Sequence, residues 1–227
     1  MDKLHALLDS SSAHHKHLCP RQVLGVRMGL LAGEVLDIEV PQARKRLFTF
    51  VESDGCGMGG ISTATGCFVR RRTMQVLDFG KLAATFVDRK SGAAVRIYPH
   101  PESRLRAVAA LPNEKNRWTS QLKAYQFLPD SELFVVEQVE LTVSLKAIIS
   151  KPGVYVNCNT CGEEIGNERE VVINGRNLCR SCAGENYYRP TPAPLFALAG
   201  DQAAAANGFA NNHMHYQTLP KELLNLN

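Results

Sequence analysis

Two C-x2-C pairs set close together constrain this chain of 227 residues more than any other feature. Cys158-Asn159-Thr160-Cys161 and Cys179-Arg180-Ser181-Cys182 leave seventeen residues between the inner cysteines. Two residues between cysteines let one tight turn aim both sulfurs at a single tetrahedral ion, and the gap suits a four-cysteine zinc site. Between the pairs, Glu170 to Ile173 and Arg176 to Leu178 flank Asn174-Gly175, a strong hairpin signal. Four cysteine ligands close the shell to substrate, so this zinc is expected to be structural and to supply much of the folding energy of its module.

The second pair is predicted to open a helix from Ala183 to Tyr188. Knuckle, hairpin and helix in that order resemble a treble-clef finger. Within it, Arg169, Arg176 and Arg180 face Glu163, Glu164, Glu168 and Glu170, a balance of one negative charge. That balance argues against phosphate-backbone binding and favours protein contacts. The finger is bounded at 151–190, after Pro152-Gly153, and a Pro- and Ala-rich stretch at 191–227 reads as a flexible or docking tail.

Residues 1–150 carry a different pattern. Leu24, Met28, Leu31 and Val35 mark one face of a helix opened by Pro20, which places Cys19 at a helix N-terminus where a thiolate is favoured. Leu47 to Val51 reads as a buried strand, followed by a glycine-rich loop, Gly55-Cys56-Gly57-Met58-Gly59-Gly60, and a short helix over Ile61 to Thr65. Met74 to Leu77 is a strand, and Ala83 to Val87 and Ala93 to Tyr98 form a hairpin. Residues 102–110 and 114–127 are helical, and 132–141 returns to strand. The fold class is α+β, a mixed or antiparallel sheet with packed helices plus the small zinc module.

His15, His17 and Cys19 lie within five residues, Cys56 follows the buried strand, and Cys67 follows the short helix. Imidazole and thiolate together suit a borderline-to-soft divalent metal such as zinc, iron or nickel. The alternative is three buried structural cysteines beside a solvated histidine run. His17, Cys19 and Cys56 are the catalytic candidates. Arg70-Arg71-Arg72 reads either as an anion-binding edge or as a solvated cluster.

The same residues resemble the FmdE family, named for a subunit of formylmethanofuran dehydrogenase. His15-Lys16-His17-Leu18-Cys19-Pro20 with Leu24-Gly25-Val26-Arg27-Met28 is similar to its H-G-H-x-C-P-G and L-G-x-R-M opening. Val51-Glu52-Ser53-Asp54-Gly55-Cys56, Thr65-Gly66-Cys67 and Asp78-Phe79-Gly80-Lys81 resemble later motifs in the family's order. The resemblance implies an α+β core, a homodimer, and a metal near His17 and Cys19 with His15, Cys56 and Cys67 completing or flanking it. Asp78 and Lys81 would lie near the pocket. It also implies one-carbon or molybdenum/tungsten metabolism and a redox-enzyme partner subunit. One departure is plain: C-x-x-D-A-I becomes Cys56-Gly57-Met58-Gly59-Gly60-Ile61, without the carboxylate.

A net charge of +4 is too weak to name a nucleic-acid partner. No run approaches a membrane span of roughly 18 apolar residues, and the first residues lack the marks of a secretory signal, so the expectation is a cytoplasmic chain without membrane contact. Three readings result: a metal-binding accessory protein, an enzyme activating a small one-carbon or anionic substrate, and a zinc-finger regulator of nucleic acid.

Overall fold

The computed structural model describes residues 2–13, 17–149 and 153–188. The chain divides into two units, Met1–Ile149 and Ser150–Asn227. The expected tail at 191–227 lies outside the described residues, as does His15.

In the larger unit, a five-stranded sheet runs in the order β2-β1-β3-β4-β5. Its strands are β1 (Leu47–Val51), β2 (Met74–Val76), β3 (Ala84–Asp88), β4 (Ala94–Pro99) and β5 (Phe134–Gln138). β1 and β2 are parallel, with Thr49 opposite Met74, and the other neighbours are antiparallel. A parallel pair needs a crossover, and α3 (Cys56–Thr65) supplies it. β1 is buried along its whole length because both of its faces are covered. Leu47 and Val51 join the main core with Phe86 and Ile97, while Phe48 and Phe50 turn to a second cluster with Val87, Ala94, Leu145 and Ile148. Alternation of side chains along one strand therefore feeds two cores.

The main core is roofed by α1 (Lys3–Ala13), α2 (Pro20–Val35), α4 (Ser103–Ala110) and α5 (Arg117–Ala124). α1 is an addition to the elements expected from sequence; its Leu4, Leu7, Leu8 and Ser11 share one helical face and pack inward. α2 is buried more widely than its apolar stripe predicts: Val23, Val26, Met28 and Ala32 are fully enclosed, whereas Val35 is exposed.

The largest departure is the glycine-rich segment. Gly57, Gly59 and Gly60 are helical residues of α3, not a loop. A β-carbon on Gly25 of α2 would collide with the carbonyl oxygen of Gly57, and one on Gly60 would collide with the carbonyl of Gln22. On Gly29 it would meet Ala64 Cβ at 2.7 Å. These glycines serve backbone-to-backbone packing of two helices rather than a turn. The pairings run in the same direction along both helices, so α2 and α3 begin at the same end of the unit.

The smaller unit holds two hairpins, β6 (Tyr155–Asn157) with β7 (Glu164–Gly166) and β8 (Val171–Ile173) with β9 (Arg176–Leu178). Asn174 and Gly175 both have positive φ, 51° and 75°, the signature of the two-residue turn expected there. The expected helix over Ala183 to Tyr188 does not form: residues 180–184 are turns. Gly184, at φ 106°, adopts a conformation an ordinary helical residue avoids. Among the described residues no helix is long and apolar enough to cross a membrane.

Candidate functional site

The sulfurs of Cys158, Cys161, Cys179 and Cys182 all lie within 4.8 Å of one another. Cys161 and Cys179 are 3.8 Å apart, the spacing of about 3.8 Å that two corners of a zinc tetrahedron with ~2.3 Å Zn–S bonds require. The knuckle closes through Gly162 N–H to Cys158 C=O and Cys158 N–H to Glu163 C=O. It is tied to the second hairpin by Asn159, whose Oδ1 accepts the Asn177 amide at 2.7 Å.

The electrostatics also ask for a cation. Burial works to raise the Cys158 thiol, but the amides of Cys161, Cys179 and Thr160 together hold it down at about 6. Burial and then the neighbouring sulfurs of Cys179, Cys161 and Cys158 push Cys182 well above the usual thiol range. The fold thus welcomes one thiolate and resists the next. A divalent ion at the centre removes that conflict, so the four residues fit zinc.

In the larger unit, Cys19 caps α2 and Cys56 is the first residue of α3. The glycine-mediated helix contact brings their thiols side by side. Cys19 is held by a reciprocal cap: its sulfur accepts the Gln22 amide at 3.4 Å, and its own amide donates to Gln22 Oε1 at 2.9 Å. Gln22 is fully buried and fixed in turn by Ser11, whose carbonyl and hydroxyl both lie 3.2 Å from its Nε2. A helix N-terminus by itself favours a Cys19 thiolate, but here the pKa of Cys19 is raised. Burial dominates, the Gln22 amide opposes it, and the Cys56 thiol adds to the rise.

The other predicted residues fall out differently. Cys67 is not part of this pair. It sits beyond the opposite end of α3, roughly 15 Å along the axis from Cys56 by the helical rise. Its buried thiol instead faces Leu47 C=O at 3.5 Å and Gln42 Nε2 at 3.2 Å. His17 is exposed two residues before Cys19. Among the described residues, no third His, Cys, Asp or Glu joins Cys19 and Cys56 in a cluster.

The arginine run is engaged in structural contacts. Arg71 donates to the carbonyls of Gly66 and Ala43, Arg72 to Ile149 C=O, and Arg70 lies over the Phe68 ring. Arg27 likewise has a structural role, donating to Tyr125 and Leu128 C=O and pairing with Asp130 at 2.6 Å. Glu52 is an anchor: its carboxylate takes a bidentate pair from Arg96 at 2.7 and 2.9 Å. Its carbonyl accepts the amides of Phe79 and Lys81. Asp78 folds back on the Gly80 amide.

A cavity of about 580 Å³ opens beside Cys19, lined by Arg21, Lys81, His100, Arg104 and Trp118 among others. Of these, Cys19 and Lys81 belong to recognisable sequence motifs. His100, Arg104 and Trp118 carry no motif, and only the packing of β4, α4 and α5 gathers them.

Comparison with known proteins places these features. Residues 14–135 match the family described as "FmdE, Molybdenum formylmethanofuran dehydrogenase operon", and residues 153–188 match the "Prokaryotic dksA/traR C4-type zinc finger". The chain is 36% identical over 203 residues to a "Probable S-adenosyl-L-methionine-binding protein" of Archaeoglobus fulgidus. That match covers 82% of this chain and 54% of the relative, so the chain spans about half the length of that protein. The fold is similar to the crystal structure of an FmdE-like protein of tungsten formylmethanofuran dehydrogenase from Syntrophus aciditrophicus, with a TM-score of 0.50 and 19% identity. The similarity covers 82% of this chain and 95% of that one.

Proposed function

The chain belongs to the FmdE family and carries a C4-type zinc finger, and we propose from this that it is a metal-binding accessory protein in a formylmethanofuran dehydrogenase setting. The observation that carries the proposal is the adjacency of Cys19 and Cys56 at the starts of two helices. These sulfurs supply two soft donors, and His15 and His17, close before Cys19 in the sequence, are the imidazoles we assign to complete the shell. Such a set suits zinc, iron or nickel. A metal there would hold or transfer electron-rich groups as a Lewis acid. Gln22 orients Cys19, and the zinc finger is the docking element toward a partner protein.

Metal analysis of anaerobically purified protein tests this. A second metal besides the finger's zinc is expected, lost in Cys19→Ala while the finger keeps its zinc. A chain holding only the finger's zinc, before and after that substitution, overturns the core site.

The second reading, an enzyme acting on a small anionic substrate, is favoured by the cation-lined cavity that opens on Cys19. S-adenosyl-L-methionine, which names the curated relative, suits this cavity poorly, because its sulfonium adds positive charge beside Arg21, Lys81 and Arg104.

A further inference from the structure

The cavity beside Cys19 is one-sided in charge. Arg21, Lys81 and Arg104 line it, and no carboxylate does. Elsewhere in the unit, Arg27, Arg46, Arg96 and Arg106 are matched to Asp130, Asp88, Glu52 and Glu102. No carboxylate partner accompanies the three cavity cations among the described residues. Each is exposed, so each can turn its charge into the cavity. α2 and α4 both begin at this cavity, where Cys19 to Arg21 and Ser103 to Arg104 line it. Their positive dipole ends add to the same field. Lys81 is held at the rim because its amide and that of Phe79 both donate to Glu52 C=O, whose side chain Arg96 locks.

One wall is different. Trp118, the chain's single tryptophan, lines the same space and is 47% exposed. A half-exposed indole beside a cationic cavity offers a flat apolar face for stacking. From this we infer that the cavity binds a phosphorylated compound carrying a planar ring, its phosphate held by Arg21, Lys81 and Arg104 and its ring against Trp118. The charge count favours phosphate over a single carboxylate, because three cations against one negative charge leave two unneutralised, whereas a dianion balances most of the field. Arginine also matches phosphate oxygens two at a time. The inference deepens the second reading by naming the ligand class, and it requires no metal at Cys19 and Cys56.

Adenosine monophosphate, adenosine and inorganic phosphate, compared at matched ionic strength, provide the test. Trp118 is the sole indole, so its fluorescence reports occupancy directly, with titration calorimetry as a second readout. Adenosine monophosphate is expected to bind saturably, with affinity falling severalfold as salt rises from low to about 0.3 M. Lys81→Ala and Arg104→Ala should each weaken it about tenfold while thermal melting stays unchanged. Cys56→Ala, outside the cavity lining, should leave it intact, so failure here is separable from failure of the core metal site. Equal binding of adenosine and its monophosphate overturns the phosphate assignment, and equal binding of inorganic phosphate overturns the ring. Absence of saturable binding below about 1 mM by both methods overturns the whole inference.

Discussion

The β-carbon that Gly25 lacks would overlap the carbonyl oxygen of Gly57, so the backbones of α2 and α3 touch where side chains normally intervene. That contact sets Cys19 beside Cys56 at the common start of the two helices. Two thiols far apart in sequence are therefore brought together by missing side chains.

Gly25→Ala tests this directly. The methyl group meets backbone, not a movable side chain, so α2 and α3 must separate. A loss of about 1–3 kcal/mol is expected, read as a lowered melting temperature, with weakened core metal retention. Unchanged melting would show that the helices have slack.

The core cysteines should separate into two classes. Cys56→Ala is expected to abolish core metal binding with a small effect on stability. Cys67→Ala should keep the metal but cost about 1 kcal/mol, because a buried sulfur packed against the Gln42–Leu47 pair is lost while that pair keeps its own hydrogen bonds. Metal content and denaturant midpoints measured together check both. Loss of metal in Cys67→Ala would return that residue to the site.

Cys161→Ser should release zinc from the smaller unit and melt it, leaving the transition of the larger unit in place. Hard oxygen replaces soft sulfur at one corner, and among the described residues of the unit Ile165 is the one buried apolar side chain besides the ligand Cys158. Retention of stoichiometric zinc would refute the four-sulfur shell.

Acid stability should hinge on Asp88. Arg46 beside it, with the Lys90 amide and the Ser91 hydroxyl, outweighs burial and holds its carboxyl well below the ordinary 3.8. A depressed folded value means that its stabilisation is complete above pH 3.8 and drains away as pH falls from there toward the folded value. Arg46→Ala leaves a buried carboxylate without its cation, so the acid unfolding midpoint should move to higher pH. Circular dichroism against pH reads the shift, and an unmoved midpoint would show that Arg46 does not set it.

Local chemistry is the readable part of this chain. The cysteine spacing, Asn174-Gly175, the strand Leu47–Val51 and the cap at Cys19 with Pro20 are written in short windows, and each occurs as an element or cluster. The glycines after Cys56 mislead because a run of glycine is ambiguous on its own. It permits a loop, and it equally permits a helix packed against another backbone, and only the partner Gly25 decides. Residue type groups Cys67 with the other sulfurs, whereas the length of α3 keeps it apart. The cavity wall is hidden for a related reason: His100, Arg104 and Trp118 come from three places in the chain, and no spacing rule connects them.

Arg27 gives α2 a further consequence. Its guanidinium fastens this helix to the carbonyls closing α5, and α5 carries Trp118. Arg27 is thus one tie, beside the apolar packing of the shared core, that holds the helix carrying the indole to the helix that Cys19 opens. Shortening that arm should let α5 tilt and change the width of the cavity, while the thiol pair, set by the glycines between α2 and α3, stays in place.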